Sequence, residues 1–211
     1  MQTATMKIGL MVVGLISLAA CSSTVAVKVE GQFPNVVAEP KNISAALVFD
    51  QDFRNYIATP NENTSIDIGS SQIDLLERAF KGLFQTVEVV SSKELIGPET
   101  DLVIIPSVRQ VQLSTPSDSY LNVYEVWIKY NLDIETAEGE PIESWFMPAY
   151  GKTPDSMMLS RANAITSATT VALRDAGAKL LLDFYRIPSV YGWIQSRLEQ
   201  EQQQEQESES E

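Results

Sequence analysis

Histidine is absent from all 211 residues, and cysteine occurs once, at Cys21. The first absence removes Ser-His-Asp and Cys-His nucleophile systems and haem ligation by histidine. The two together remove disulfides and the usual zinc sites. Basic residues are scarce: 15 Lys and Arg stand against 28 Asp and Glu, a net charge of −13. Such a surface repels a phosphate backbone, and no basic stripe offsets it. Neither nucleic acid nor anionic lipid headgroups are therefore expected partners. A long apolar run is missing too. The stretch from Ile8 to Ala20 has thirteen residues, short of the about 20 that a membrane-spanning helix needs. No acidic loop has EF-hand spacing, and no segment repeats. No metal and no cofactor are expected.

What is present starts with that run. Lys7 is the one charged residue before it, small residues close it, and Ser22, Ser23 and Thr24 follow. A positive start, an apolar middle and small residues before a cut site make a secretory signal. With cysteine first after the cut, Leu18-Ala19-Ala20-Cys21 resembles the lipobox of bacterial lipoproteins. The resemblance implies cleavage before Cys21, a diacylglyceryl group on its sulfur and usually a third acyl chain on its amine. One chain holds a protein marginally and two hold it stably, at roughly 0.8 kcal/mol per buried CH₂. Ser22 in place of an aspartate resembles the enterobacterial signal for export to the outer membrane, with the domain facing the periplasm. An uncleaved anchor and an ordinary buried cysteine are the competing readings. The position of the only thiol favours lipidation, which also removes a free thiol from an oxidising compartment.

The chain then divides into a signal peptide (1–20), a lipidated cysteine with a flexible tether (21–41), a folded domain (42–187), an apolar appendage (188–198) and a disordered Gln/Glu/Ser tail (199–211). In the tether, Val25, Val27 and Val29 alternate and form a short edge strand if docked. Fully extended, the segment reaches on the order of 70 Å. Ala45 to Phe49 is a short inner-strand signal that Asp50 to Tyr56 continues, and Thr59 to Asn63 is a loop by composition. A helix capped by Ser70 or Ser71 follows. Its Ile73, Leu76, Ala79, Phe80, Leu83 and Phe84 recur at helical spacing, a core-facing stripe.

Thr86 to Val90 is a strand, as is Leu102 to Ile105, which Val108, Val111 and Leu113 prolong beyond a bulge or bend. Tyr120 to Glu135 alternates for a long way. Ala137-Glu138-Gly139-Glu140 turns the chain, and Ile142, Ser144, Phe146 and Pro148 face one way on the return, with Glu143, Trp145 and Met147 opposite. Polar residues on one face predict a sheet covered on one side only. A second helix starts after Thr153-Pro154-Asp155 or at Ser160. Its row Ala164, Ala168, Ala172 and Ala176 suits a helix lying close to a sheet. Pro188 stops it. Val190, Tyr191, Trp193, Ile194 and Leu198 then fold back onto the core or form an exposed contact patch; folding back is the favoured reading.

This order predicts an α+β fold, a mainly antiparallel sheet of about 4–6 strands with two helices packed on one face. Four features carry a further resemblance: Leu47-Val48-Phe49, the helix-strand unit Leu75–Val90, Leu102–Val108 and the hairpin around Gly139. From roughly Ala45 to Tyr185 the pattern resembles small periplasmic lipoprotein domains. These include the lipopolysaccharide-assembly, curli-secretion and peptidoglycan-synthase-activator lipoproteins. The likeness is one of pattern, so beyond lipidation of Cys21 it transfers no site residue.

An anchor that fixes location, a tether that gives reach and an open sheet face for docking favour a non-catalytic accessory or assembly subunit of an envelope complex for secretion, transport or cell-wall work. Such a subunit is held to the membrane through lipidated Cys21 and contacts a protein partner. Trp127, Trp145 or the Tyr191–Trp193 patch is then exposed. One alternative is a lipid or small ligand bound between sheet and helices, with Trp127, Trp145 and Tyr150 lining the site. Another is a carboxylate-based glycan hydrolase drawing on Asp101, Asp133, Glu135, Glu138, Glu140 and Glu143. Most of those acids lie at a hairpin turn, where charge is usually only solvated. No catalytic residue is assigned.

Overall fold

The longest alternation in the sequence becomes the longest hairpin: β7 (Val123–Thr136) and β8 (Pro141–Pro154) pair antiparallel from Val123–Pro154 to Glu135–Pro141. Gly139 makes the turn at φ 87°, a left-handed conformation that glycine adopts without a steric cost. Val126, Ile128, Tyr130, Leu132 and Ile134 of β7 are buried along one side. The computed structural model describes residues 24–31, 33, 39–155 and 160–209. The lipobox and Cys21 lie outside the described residues.

Three more strands complete this sheet: β2 (Lys41–Val48), β5 (Phe84–Val90) and β6 (Leu102–Ser114), in the order β5-β2-β6-β7-β8. β6, β7 and β8 are antiparallel, while β2 runs parallel to both neighbours. The expected bend in β6 is a register shift between Val108 and Gln110. Two long helices, α2 (Gly69–Leu83) and α4 (Arg161–Asp183), contribute Leu75, Leu76, Ala79, Phe80, Ala164, Ala168, Leu173 and Leu180 to the core beneath it. This is the expected α+β layer. Fully burying each large side chain contributes about 1.5–3 kcal/mol. Phe80, Phe84 and Phe184 add edge-to-face and stacked contacts, with centroids 5.5–6.0 Å apart.

The alanine row packs as its composition predicts. Ala164, Ala168, Ala172 and Ala176 are fully buried. Opposite them β8 carries Gly151, where a Cβ would sit 2.1 Å from the Ala168 oxygen and 2.3 Å from the Ala172 nitrogen. Small residues on both sides let helix and strand backbones touch.

Five local expectations are corrected. Asp50 does not continue β2; its carboxylate accepts the Phe53 N–H at 2.7 Å and caps a helical turn, α1 (Gln51–Arg54). α2 begins before Ser70, at Gly69, whose N–H donates to the Asp67 carboxylate at 3.2 Å. Thr153 and Pro154 belong to β8, and Ser160 caps α4 by accepting the Asn163 N–H at 3.2 Å. Pro188 opens a helix instead of merely closing one: α5 (Pro188–Glu209) starts at it, because a first-turn proline has no N–H that the helix needs. The expected disordered tail is also helical as far as Glu209. Val190 and Ile194 anchor the helix in the core, and Glu and Gln are good helix formers that carry it onward.

The flexible tether is corrected as well, although Val25 and Val27 do form the expected edge strand, and the loop expected from Thr59 gives way to strand as far as Asn61. β1 (Val25–Lys28) pairs parallel to β4 (Thr64–Asp67), and β4 pairs antiparallel to β3 (Ile57–Asn61), a second, three-stranded sheet. Val29 and Phe33 are buried beyond β1. Ser71 binds this segment, donating its hydroxyl to the Val29 carbonyl and accepting the Gly31 N–H at 3.2 Å. Val25 to Gly31 are therefore held against the domain.

Candidate functional site: an open aromatic sheet face

The side of the five-stranded sheet away from the helices is covered over one half and bare over the other. Glu88, Ala46, Val103 and Glu135 form a row across β5, β2, β6 and β7. Segment 91–101 is tied to both ends of that row. Gly97 N–H and the Thr100 hydroxyl donate to Glu88 at 2.9 and 2.8 Å, and Lys93 lies 2.5 Å from Glu135. It therefore crosses the sheet between them, and Ala46 and Val103 are buried on the side away from the core.

Beyond this cover the face is open. Gln112, Trp127 and Tyr150 share one cross-strand row, Gln110, Lys129 and Pro148 the next, and Ser107, Asn131 and Phe146 the third. Trp127 is 41% exposed and Phe146 53% exposed. Trp127 and Tyr150 rings stand 4.4 Å apart, tilted by 40°, a contact that holds the indole against the sheet. Tyr150 donates to Glu125 at 2.5 Å, and this hydrogen bond pushes the phenol up to about 12, with desolvation second. Around the rings lie satisfied polar groups. Lys129 donates to Gln110 at 2.8 Å. Asn131 donates to Asp133 and Ser144 at 2.8 and 3.0 Å, and Ser144 donates to Asp133 at 2.5 Å. Aromatic anchors inside a polar rim are the anatomy of a protein-binding surface.

The neighbouring edge is closed to strand addition. β8 is an outer strand, and helix α4 caps its free backbone: Asp175 accepts the Tyr150 N–H at 2.9 Å and Lys179 donates to the Pro148 carbonyl at 2.6 Å. Pro148 itself has no N–H to offer. The surface left open here is therefore the face, not the edge.

Of the aromatic residues singled out from sequence, Trp127 and Tyr150 come together, and Trp145 parts from them. Trp145 turns to the helix side, 6.4 Å from the Phe184 ring. Tyr191 is exposed, while Val190, Ile194, Trp193 and Leu198 pack against the core, the folding-back arrangement. Phe146 was the residue missed. Alternation placed it opposite Trp145 and Met147, but only the burial of Met147 identifies the open side.

Five of the six carboxylates divide between two clefts, and Glu140 lines neither. Asp133, Glu135 and Glu143 line one of about 410 Å³; Asp101 and Glu138 line another of about 440 Å³ beside Trp193 and Arg197. Each of the first three has a partner: Asn131 and Ser144 for Asp133, Lys93 for Glu135, and Ser189, 2.6 Å away, for Glu143. Asp101 pairs with Arg197. Glu138 is held below the usual carboxylate range by its hydrogen bond to Thr136, and Glu140 is exposed. Among the described residues no group of His, Cys, Asp and Glu is arranged to hold a metal ion, and no helix is long and apolar enough to cross a membrane.

Comparison by sequence finds no matching family model and no matching curated protein. Comparison by structure finds a Helicobacter pylori protein described as a homologue of a neuraminyllactose-binding haemagglutinin. It has a TM-score of 0.53 at 14% identity, covering 82% of this chain and 100% of that one. An Acinetobacter baumannii minor lipoprotein aligns with a TM-score of 0.44 at 10% identity, over 69% of this chain and 92% of that one. A Caulobacter crescentus protein described as a lipoprotein aligns at 0.38 and 13%, over 60% and 82%. The first likeness is one of fold, and the two weaker ones bear no functional weight.

Proposed function

We propose that this chain is a lipoprotein anchored to the outer membrane through Cys21, facing the periplasm and serving as a non-catalytic accessory or assembly subunit of an envelope complex. The observation that carries the docking role is the bare Trp127–Phe146 face on a sheet whose other half is covered. Anchorage rests on Leu18-Ala19-Ala20-Cys21, whose cysteine is the only one in the chain. A scaffold role also accords with carboxylates engaged in structural pairs. The lipid-carrier alternative needs an apolar chamber between sheet and helices, where the alanine row and Gly151 instead bring the backbones into contact.

The test is photocrosslinking in intact cells from a probe at Phe146, with a second probe at the exposed Leu182 as the control. One protein partner captured from position 146 and not from 182, and lost in a Trp127→Ala background, supports the reading. Equal capture from both sites, or copurifying lipid or glycan without a protein, overturns the subunit role. Mass spectrometry of the mature N-terminus tests the anchor separately.

A further inference from the structure

We infer that the loop Tyr120–Leu121 rests in the headgroup layer of the bilayer that holds Cys21, so that the domain lies against the membrane instead of standing off it. This rests on the lipid anchor proposed above. Val25 is already in β1, with its N–H donating to the Asn63 carbonyl at 2.8 Å. Three residues lie between it and Cys21, four Cα steps that reach about 14 Å even when fully extended. The interfacial layer takes up roughly 5–8 Å of that on each side of the hydrocarbon. The end of the domain that carries Val25 must sit at the membrane surface.

The loop is at that end. Val25 pairs with Thr64, and the Thr64 hydroxyl accepts from Arg161 at 3.2 Å at the start of α4. Arg161 shares a cleft with Thr115, Pro116, Ser117, Tyr124 and Asp155. The Asp155 N–H in turn donates to the Asn122 carbonyl at 2.9 Å. Between Ser117 and Asn122 the chain makes the short helix α3 (Pro116–Ser119) and then turns at Tyr120 with φ 57°. Tyr120 is 93% exposed and Leu121 58%.

A bulky residue in the left-handed region with almost no protein contact is uncommon. A tyrosine beside a leucine suits the boundary between headgroups and acyl chains, with the ring in the apolar part and the hydroxyl in the wet part. The charges at this end are Glu62, Asp118, Glu125 and Asp155 against Lys152 and Arg161, with Glu125 beside Lys152 across the strands and Arg161 acting on Asp118. No cationic patch is left to seek anionic lipid. The surface that fits is zwitterionic phospholipid, met through apolar contact and delivered by the anchor.

The test uses the full-length lipidated protein in phosphatidylethanolamine–phosphatidylcholine vesicles that contain lipids spin-labelled near the headgroup. With Cys21 acylated, Leu121→Cys and, separately, Leu95→Cys each place one free thiol for an environment-sensitive dye on exposed positions. Quenching and a blue shift at 121, with neither at 95, support the inference. Protein that floats with the vesicles while the dye at 121 behaves as at 95 overturns the inference and leaves the anchor standing. Protein that does not float removes both.

Discussion

Arg197 reaches from α5 to the mouth of β6 and places Nη2 and Nε 2.6 and 2.9 Å from Oδ1 of Asp101, a residue 96 positions earlier in the chain. The other carboxylate oxygen of Asp101 accepts the Ser44 N–H at 2.9 Å, and the Asp101 N–H donates to the Ser44 carbonyl at 2.9 Å. One side chain thus ties the last helix to two central strands. Arg197→Ala should loosen α5 more than the domain. The expected cost is about 1–2 kcal/mol, the range for a charge-assisted pair that is partly solvated. Amide exchange in α5 should rise well above that in α4; equal protection in both helices would refute the role of this pair.

Three glycines should respond to alanine in three different ways. At Gly151 the new methyl meets helix backbone at 2.1 Å, so α4 must lift off β8; the cost is about 3 kcal/mol or more. At Gly139 nothing obstructs a Cβ, but φ is 87°, and the left-handed strain costs about 1–2 kcal/mol. At Gly192, inside α5, there is free space and no positive φ, so alanine should stabilise by about 0.4–1 kcal/mol. Urea midpoints at unchanged m-value give all three, and their order is the point at issue.

Ser71→Ala removes the hydroxyl that engages both Val29 and Gly31. The buried Val29 carbonyl loses its side-chain donor at a cost of about 1–3 kcal/mol. The amides of Val25 to Gly31 should exchange faster while those of β6 and β7 do not change. This also lengthens the free chain behind Cys21. The dye at position 121 should then be quenched less in vesicles.

Stability should fall in strong base. The Tyr150 phenol is raised to about 12 by its hydrogen bond to Glu125, and burial raises Tyr130 and Tyr185 above the ordinary value of 10.0. These groups hold their protons more tightly folded than unfolded. Their contribution is therefore complete below pH 10 and lost as the pH rises through the folded values. Glu125→Gln should lower the Tyr150 value and flatten the loss between about pH 10 and 12. Tyrosinate absorbance of the folded protein, compared with and without the substitution, checks it. An unchanged titration would sink the assignment to Glu125.

Phe146→Ser should change stability by no more than about 0.5 kcal/mol, since the ring is exposed on the open face. Trp127→Ala should cost about 0.5–1.5 kcal/mol through the lost Tyr150 contact. Thermal melts of the two variants separate an exposed ring that the fold does not need from one that also supports the sheet.

Long-period patterns were legible from the chain alone. Alternation over β7, the helical stripe of α2 and the alanine row of α4 each repeat often enough to specify both an element and its buried side, whereas alternation over β8 specified the strand alone. The aromatic site was half legible. Trp127 and Tyr150 stand on the same face by register, but which face is bare depends on segment 91–101 crossing the sheet, and its ties run from Glu88 to Glu135. Short elements were barely legible: alternation of Val25 and Val27 marked β1 as an edge strand if docked, but nothing marked its partners. β1 and β4 have four residues each and β3 has five with Pro60 inside it. Strands that brief exist only through partners far away in sequence, and no local periodicity records a partner.

The sequence by itself determined the lack of histidine, the single cysteine after Leu18-Ala19-Ala20, the acidic balance and the layered α+β arrangement, because composition and hydrophobic period are local properties of the chain. Only the tertiary structure decided that Val25 to Gly31 belong to the fold, that α5 closes over Asp101, and which aromatic rings are left exposed. Those depend on backbone groups and side chains tens of residues apart finding one another as the core is buried.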